Sequence, residues 1–439
     1  MHPRIPMNWL YGLLFQIFII AFIFSLSSCG NNPVKHNRKV YISEEKGKYT
    51  LYRNGKPYYI KGAAGFTNLE KLHEIGGNTI RTWDTLNLAS ILDDAQKNNM
   101  AVIVGLPLPE SKYTDFIYNN PAKVSKLIAE NKKIVNRFKN HPALLIWCVG
   151  NELIFENNLK HYNFYKSFNA IVDMVRQNDP DHPITTTIIS LREIPGMKLF
   201  TDVDFISINI FSSLSSLRGK MEKFSAFYSD PFLITEWGIA GPWLQDKNAW
   251  GAHIESTSTK KAEQYLEMYN YIPSENSRLL GSFVFYWGYK QETTSTWFSL
   301  FNEKGKGTEA VGVMQYLWTG KWPKTMAPKL NYMLVDGKGA KDNIIFKPGV
   351  TAQATLSMPV VDSSGTTVWE IYPEDWYVNN NKKNTKKIKP VAGAIVSSKY
   401  LNATFKAPDK EGPYRIFATI YDSNGNFATC NTPFYVISN

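Results

Sequence analysis

The chain has 439 residues, 44% of them apolar, and a formal net charge of +11. That length suits one large domain with a small one, and that apolar share excludes a disordered polymer. Charge spread thinly over so long a chain names no partner, and basic and aromatic residues do not interleave as nucleic-acid binding requires.

Residues 1–28 carry Arg4, an apolar block from Leu10 to Phe24, and Leu26-Ser27-Ser28 directly before Cys29. This is the layout of an export signal, and Leu-Ser-Ser-Cys resembles a bacterial lipobox with Cys29 as the lipidated first residue. A retained anchor helix is the alternative. Either reading exports the body and holds it at a membrane of the bacterial cell envelope. Gly30-Asn31-Asn32-Pro33 lacks the acidic cluster of some surface lipoproteins, which favours a periplasm-facing anchor. Residues 29–48 read as a polar tether. The other cysteines, Cys148 and Cys430, read as buried free thiols.

From Tyr49 the pattern predicts a short hairpin, turning at Asn54-Gly55-Lys56-Pro57, that leads into a strand ending at Gly62-Ala63-Ala64-Gly65. Strands and helices then alternate. Leu69–Ile75 reads as helix, Thr79–Trp83 as strand, Leu88–Asn99 as helix and Met100–Leu106 as strand. Pro121 opens a helix whose Val124, Leu127, Ile128, Val135 and Phe138 form one apolar stripe. The stretch Leu144–Glu152 is an unbroken apolar run of strand length that stops at a Gly150-Asn151-Glu152 step, as a fully buried parallel strand does when it emerges into a binding face. Helix at Tyr162–Asn178, strands at Ile184–Ile189 and Phe205–Asn209, a helical stretch to Tyr228, a strand at Phe232–Thr235, helix at Lys260–Ile272, a strand at Leu280–Tyr286 and helix at Ala310–Thr319 complete eight units. They fit an α/β fold of (β/α)8 TIM-barrel type over residues 49–325. Short alternating runs over 326–439, such as Tyr414–Tyr421 and Thr432–Ile437, predict a small all-β immunoglobulin-like sandwich. The run Lys382, Lys383, Lys386, Lys387 and Lys389 reads as a solvated loop.

Active sites of such barrels lie at the carboxyl ends of the strands. Those positions hold Arg81, Trp83, Asn151, Glu152, Asn209, Glu236, Trp237 and Trp287. Trp243, Trp250 and Trp297 fall on the same loops. Aromatic faces suit sugar rings, so these tryptophans, with Arg81, Asn151 and Asn209, are candidate substrate contacts. Trp147 reads as core. Two strand-end glutamates suit glycoside hydrolysis, which needs a proton donor for the leaving oxygen and a nucleophile or base across the anomeric carbon. The donor's pKa must be lifted, through burial or a nearby negative charge. Arg81 is placed to keep the other carboxylate ionised. The seven histidines are scattered and form no metal motif, and no cofactor is implied.

Asn151-Glu152 after the fourth strand and Glu236 in Thr235-Glu236-Trp237-Gly238 after the seventh resemble the clan A retaining β-glycosidases. The resemblance implies Glu152 as acid/base, Glu236 as nucleophile, Asn151 as a partner for the 2-hydroxyl and Trp287 as the floor beneath the cleaved sugar. The barrel motifs resemble glycoside hydrolase family 2, but no sugar-binding sandwich precedes the barrel. The layout is more similar to family 158, which implies an endo-β-1,3-glucanase acting on a β-glucan. A family 72-like β-glucanosyltransferase, a family 2-like exo-β-glycosidase and a non-catalytic glycan-binding lipoprotein are the alternatives. The clan often has a tyrosine after strand six that bonds the nucleophile. Phe211 stands there, so Tyr286 or Tyr289 replaces its hydroxyl or activity is weakened.

Overall fold

The computed structural model describes residues 38–438 apart from 112–113, 157, 212, 226–227, 361–364 and 379–387. The leader, Cys29, and Lys382, Lys383, Lys386 and Lys387 lie outside the described residues. Among those described, no helix is long and apolar enough to cross a membrane.

An antiparallel sheet of β1 (Val40–Glu45), β2 (Lys48–Arg53) and β3 (Lys56–Pro57) comes first. The predicted tether to residue 48 therefore ends at Lys39, because Val40–Glu45 pairs along its length with Lys48–Arg53. Eight parallel strands then close a barrel: β4 (Ile60–Ala64), β5 (Thr79–Arg81), β6 (Ala101–Leu106), β7 (Leu144–Asn151), β8 (Ile184–Ile188), β9 (Phe205–Asn209), β10 (Phe232–Trp237) and β11 (Leu279–Phe285). The sheet closes where β11 pairs with β4. These strands are buried on both faces, which explains their unbroken apolar runs.

The α-helices of the barrel are α1 (Leu69–Glu74), α2 (Leu88–Lys97), α3 (Pro121–Phe138), α4 (Tyr162–Asn178), α5 (Ile194–Phe200), α6 (Leu217–Lys223), α7 (Ser258–Tyr269) and α8 (Glu309–Thr319). Side-chain caps fix the starts of α3 and α7. Asn120 accepts the Lys123 N–H at 3.1 Å ahead of Pro121, and Thr257 accepts the Lys260 N–H at 3.2 Å. Helix α5 has no counterpart in the sequence reading. Pro195-Gly196 looks like a turn there, but Pro195 occupies the first turn after a Ser190–Glu193 capping box.

The C-terminal segment forms two four-stranded sheets. One takes the order β12 (Tyr332–Val335), β14 (Thr351–Ser357), β17 (Asn402–Lys406), β16 (Ile395–Lys399); the other β13 (Ile345–Phe346), β19 (Phe427–Val436), β18 (Gly412–Tyr421), β15 (Thr366–Pro373). They share a core that includes Phe405, Ile416 and Phe434. Buried polar groups tie this unit to the barrel. Glu255 accepts from Lys261 at 2.5 Å and from Asn431 at 2.7 Å, Asn431 accepts from Arg415 at 2.7 Å, and Arg415 also donates to Glu374 at 2.8 Å. A network with every member satisfied fixes one docking geometry.

Candidate active site

The site grows from one buried cation. Arg81, the last residue of β5, has no solvent exposure, and its guanidinium fans across the barrel. Nη1 donates to Glu236 Oε1 at 2.7 Å, Asn209 Oδ1 at 3.1 Å and the Thr235 carbonyl at 3.2 Å. Nη2 donates to Asn151 Oδ1 at 2.5 Å and Thr187 Oγ1 at 3.2 Å. One planar fork thus sets the ends of β7, β8, β9 and β10, a task that suits arginine and not lysine.

Register irregularities aim the acids. The β9–β10 pairing slips between Ile234 and Glu236, so that Glu236 faces Asn209, and the β7–β8 pairing slips between Cys148 and Asn151. Such bulges beside a site turn a side chain that a regular strand would leave in the wall. Glu152 has a left-handed φ of 54°, uncommon for a residue with a side chain, and its N–H is tied to the Thr187 carbonyl at 3.0 Å. The side chain that results is exposed, while Glu236 is only 5% accessible. Asn209 joins the two acids. Its Oδ1 accepts from Arg81 and from Thr235 Oγ1 at 3.0 Å, which orients its amide so that Nδ2 donates to Glu152 Oε1 at 2.8 Å.

Burial pushes the Glu236 carboxyl above its ordinary value; the Arg81 guanidinium pulls against this, and the Glu152 charge adds to the rise. Trp83 is a second donor: its Nε1–H meets Glu236 Oε1 at 2.7 Å. Both donors hold the same oxygen, and Oε2 has no hydrogen bond from the described residues. Lys290 also lowers the Glu236 pKa and lies over the Phe285 ring at 4.7 Å. A buried carboxylate held at one oxygen, with a second, open carboxyl linked through a single amide, is an arrangement that can attack a carbon and exchange a proton across it. Among the described residues no group of three His, Cys, Asp or Glu side chains could hold a metal.

Several predicted contacts lie elsewhere. Trp287 is wholly buried, edge-on to Phe301 at 4.8 Å with its N–H on the Asn68 carbonyl, so it is not a sugar floor. Trp237 is 1% exposed and packs on Tyr265 and Tyr269, and Trp297 is 2% exposed with its N–H on the Ala240 carbonyl. A strand residue and its successor point to opposite faces, so Glu236 inward sends Trp237 outward beneath the helices. Arg81 is too buried to touch a substrate and acts on Glu236 instead. Asn209 is spent between Arg81 and Glu152, leaving Asn151 Nδ2 as the amide with no partner among the described residues. Trp243 is exposed, and Trp83 is half-buried. The sequence reading missed Thr187, Thr235 and Lys290. Thr187 is buried like every other residue of Ile184–Ile188 and carries no motif, so only the three-dimensional arrangement reveals it.

Residues 82–271 match the family model described as glycosyl hydrolases family 2, TIM barrel domain. A β-glucuronidase of Rattus norvegicus is 24% identical over 229 residues, which are 45% of this chain and 33% of that protein. The chain thus spans about a third of the length of the curated relative it matches. Bifidobacterium dentium β-glucuronidase complexed with coumarin-3-O-glucuronide aligns with a TM-score of 0.52 at 17% identity, over 64% of this chain and 49% of that one. Bacteroides uniformis β-glucuronidase 2, covalently bound to cyclophellitol-6-carboxylate aziridine, aligns at 0.51 and 13% identity, over 91% of this chain and 48% of that one. At such identities the structures share the fold. The expected likeness to family 158 endo-β-1,3-glucanases gives way here, since the matched barrel is that of family 2 and the relatives are β-glucuronidases.

Proposed function

We propose that the chain is a retaining β-glycoside hydrolase that releases a terminal β-linked hexuronic acid, a glucuronide first. The observation that carries the mechanism is the Arg81–Glu236 pair joined through Asn209 to Glu152. Supporting the substrate class are the family 2 barrel match, the relatives named β-glucuronidase, and Lys290, a half-exposed cation that is paired with Glu292 at 2.6 Å, acts on Glu236 and can exchange that partner for a sugar carboxylate.

In the first step Glu236 attacks the anomeric carbon as the bond to the aglycone oxygen breaks, and Glu152 gives that oxygen its proton. In the second, water attacks the same carbon, yields a proton to Glu152, and the ester to Glu236 breaks, so that configuration is retained. Asn151 Nδ2 is the donor for the 2-hydroxyl. The cell envelope, with lipid on Cys29, remains our reading of where this happens, supported by Leu26-Ser27-Ser28-Cys29. The C-terminal sheets fit an immunoglobulin-like domain that braces the barrel.

The test is turnover of 4-nitrophenyl β-D-glucuronide, β-D-galacturonide and β-D-glucoside, with NMR of the first-formed anomer. The uronides should react fastest and give the β-anomer first, and Glu236→Gln should abolish turnover while leaving ligand binding. An α-anomer formed first, or no reaction with any of the three, rejects the proposal.

A further inference from the structure

We infer that Trp83 is a positioning residue for the nucleophile: its indole N–H takes over the role of the hydroxyl missing at Phe211, and with Arg81 it assigns Glu236 Oε2 as the attacking atom. This rests on the glycosidase reading above and deepens it.

Four observations converge. Trp83 Nε1 lies 2.7 Å from Glu236 Oε1, the same distance as Arg81 Nη1 on that same oxygen. The indole is flanked by three groups: Tyr286 stacks on it at 5.7 Å and 24°, Phe285 meets it edge-on at 6.1 Å, and the Arg81 guanidinium lies 5.5 Å from its centroid. Its backbone is seated against Gly105, where any side chain would come within 2.7 Å of the Trp83 carbonyl carbon. Phe211, meanwhile, has its ring edge-on to Phe285 at 5.4 Å and to Trp243 at 6.2 Å, and brings no donor to the carboxylate.

The chemistry follows from what an indole can do. It donates and never accepts, so it cannot rotate into an acceptor role as a phenol can. Two donors on Oε1 leave the lone pairs of Oε2 for the anomeric carbon. In the glycosyl-enzyme the new bond is to Oε2, and Oε1 becomes the neutral ester carbonyl. When water's oxygen takes the anomeric carbon and its proton goes to Glu152, the C–Oε2 bond breaks and charge returns to a carboxylate already solvated by Trp83 and Arg81. Donors fixed where charge develops need no reorganisation.

Replacing Trp83 by Phe, or by the isosteric benzothienylalanine that lacks only the N–H, tests this. With 4-nitrophenyl β-D-glucuronide, kcat/KM should fall tenfold to a hundredfold with KM changed less than threefold. The acidic limb of the pH profile should move to higher pH, as Glu236 loses a donor that favours its ionised form while Arg81, Glu152 and Lys290 still face it. Adding Phe211→Tyr to Trp83→Phe should restore part of the loss. A raised KM with an unmoved acidic limb makes the ring a sugar platform and overturns the inference, as does wild-type behaviour of the benzothienylalanine protein. If the wild type turns over no glycoside, the functional reading fails separately. The positioning is then read from the 13C titration of Glu236, identified by its absence in Glu236→Gln. An upward displacement in the benzothienylalanine protein supports it, and an unchanged titration overturns it.

Discussion

Replacing Arg81 by Met removes a cation that has no access to solvent, together with the donors to Glu236, Asn209, Asn151, Thr187 and the Thr235 carbonyl. Breaking a buried ion pair by deleting one partner costs about 3–5 kcal/mol, a large part of the roughly 5–15 kcal/mol that holds a typical domain folded. The loss must depend on pH. Burial raises the folded Glu236 carboxyl, so the group's contribution to stability is fully present below its unfolded value of about 4.3 and is lost as pH rises through the folded one. Removing Arg81 raises the folded value further and widens that window. Urea unfolding followed by tryptophan fluorescence should therefore show a destabilisation that is smaller near pH 4, where only the neutral hydrogen bonds are lost, and grows towards pH 7.5. The double variant Arg81→Met, Glu236→Gln should regain at least about 1 kcal/mol at pH 7.5, because the orphaned charge is gone. A penalty equal at both pH values, or under about 1 kcal/mol at pH 7.5, refutes an electrostatic role for this pair.

Asn209→Ala severs the link between Arg81 and Glu152 and should lower kcat/KM by roughly tenfold to a hundredfold, the value of a hydrogen bond to a charged group at about 1.5–3 kcal/mol; initial rates on an aryl glucuronide measure it. Trp287→Ala should cost about 3–5 kcal/mol in urea unfolding, as a buried indole does, and a raised KM with unchanged stability would return Trp287 to the groove. Lys290→Ala should raise KM for a uronide about two- to fivefold, the size of a half-exposed ion pair, and leave KM for the matching glucoside unchanged. Cys29→Ser should abolish labelling by an alkynyl fatty acid in a bacterial host and release the protein from the membrane fraction.

Much of the barrel was legible because its strands are short apolar runs of a kind that only full burial explains, and because Asn151-Glu152 and Thr235-Glu236 stand where such runs end. Helix α5 escaped notice because Pro195-Gly196 breaks a periodic pattern in sequence, yet suits a first turn in space. The tryptophans were misjudged for a different reason. Trp83, Trp237 and Trp287 all lie at or just past strand ends, but whether a ring faces the groove or the helices depends on the pleat and on bulges that sequence does not mark. Endo-glucanase action was inferred from domain layout, which speaks less directly to the sugar than the barrel's own residues do.

The sequence by itself determined the alternation of strands and helices and the two carboxylates at strand ends, since hydrophobic burial is written residue by residue along the chain. Only the tertiary structure decided how those carboxylates differ: Glu236 buried against Arg81 and Trp83, and Glu152 open and tethered through Asn209. Hydrogen bonds and charge effects act over a few ångströms of space, and residues such as Arg81 and Glu236, 155 positions apart, become neighbours only when the barrel closes.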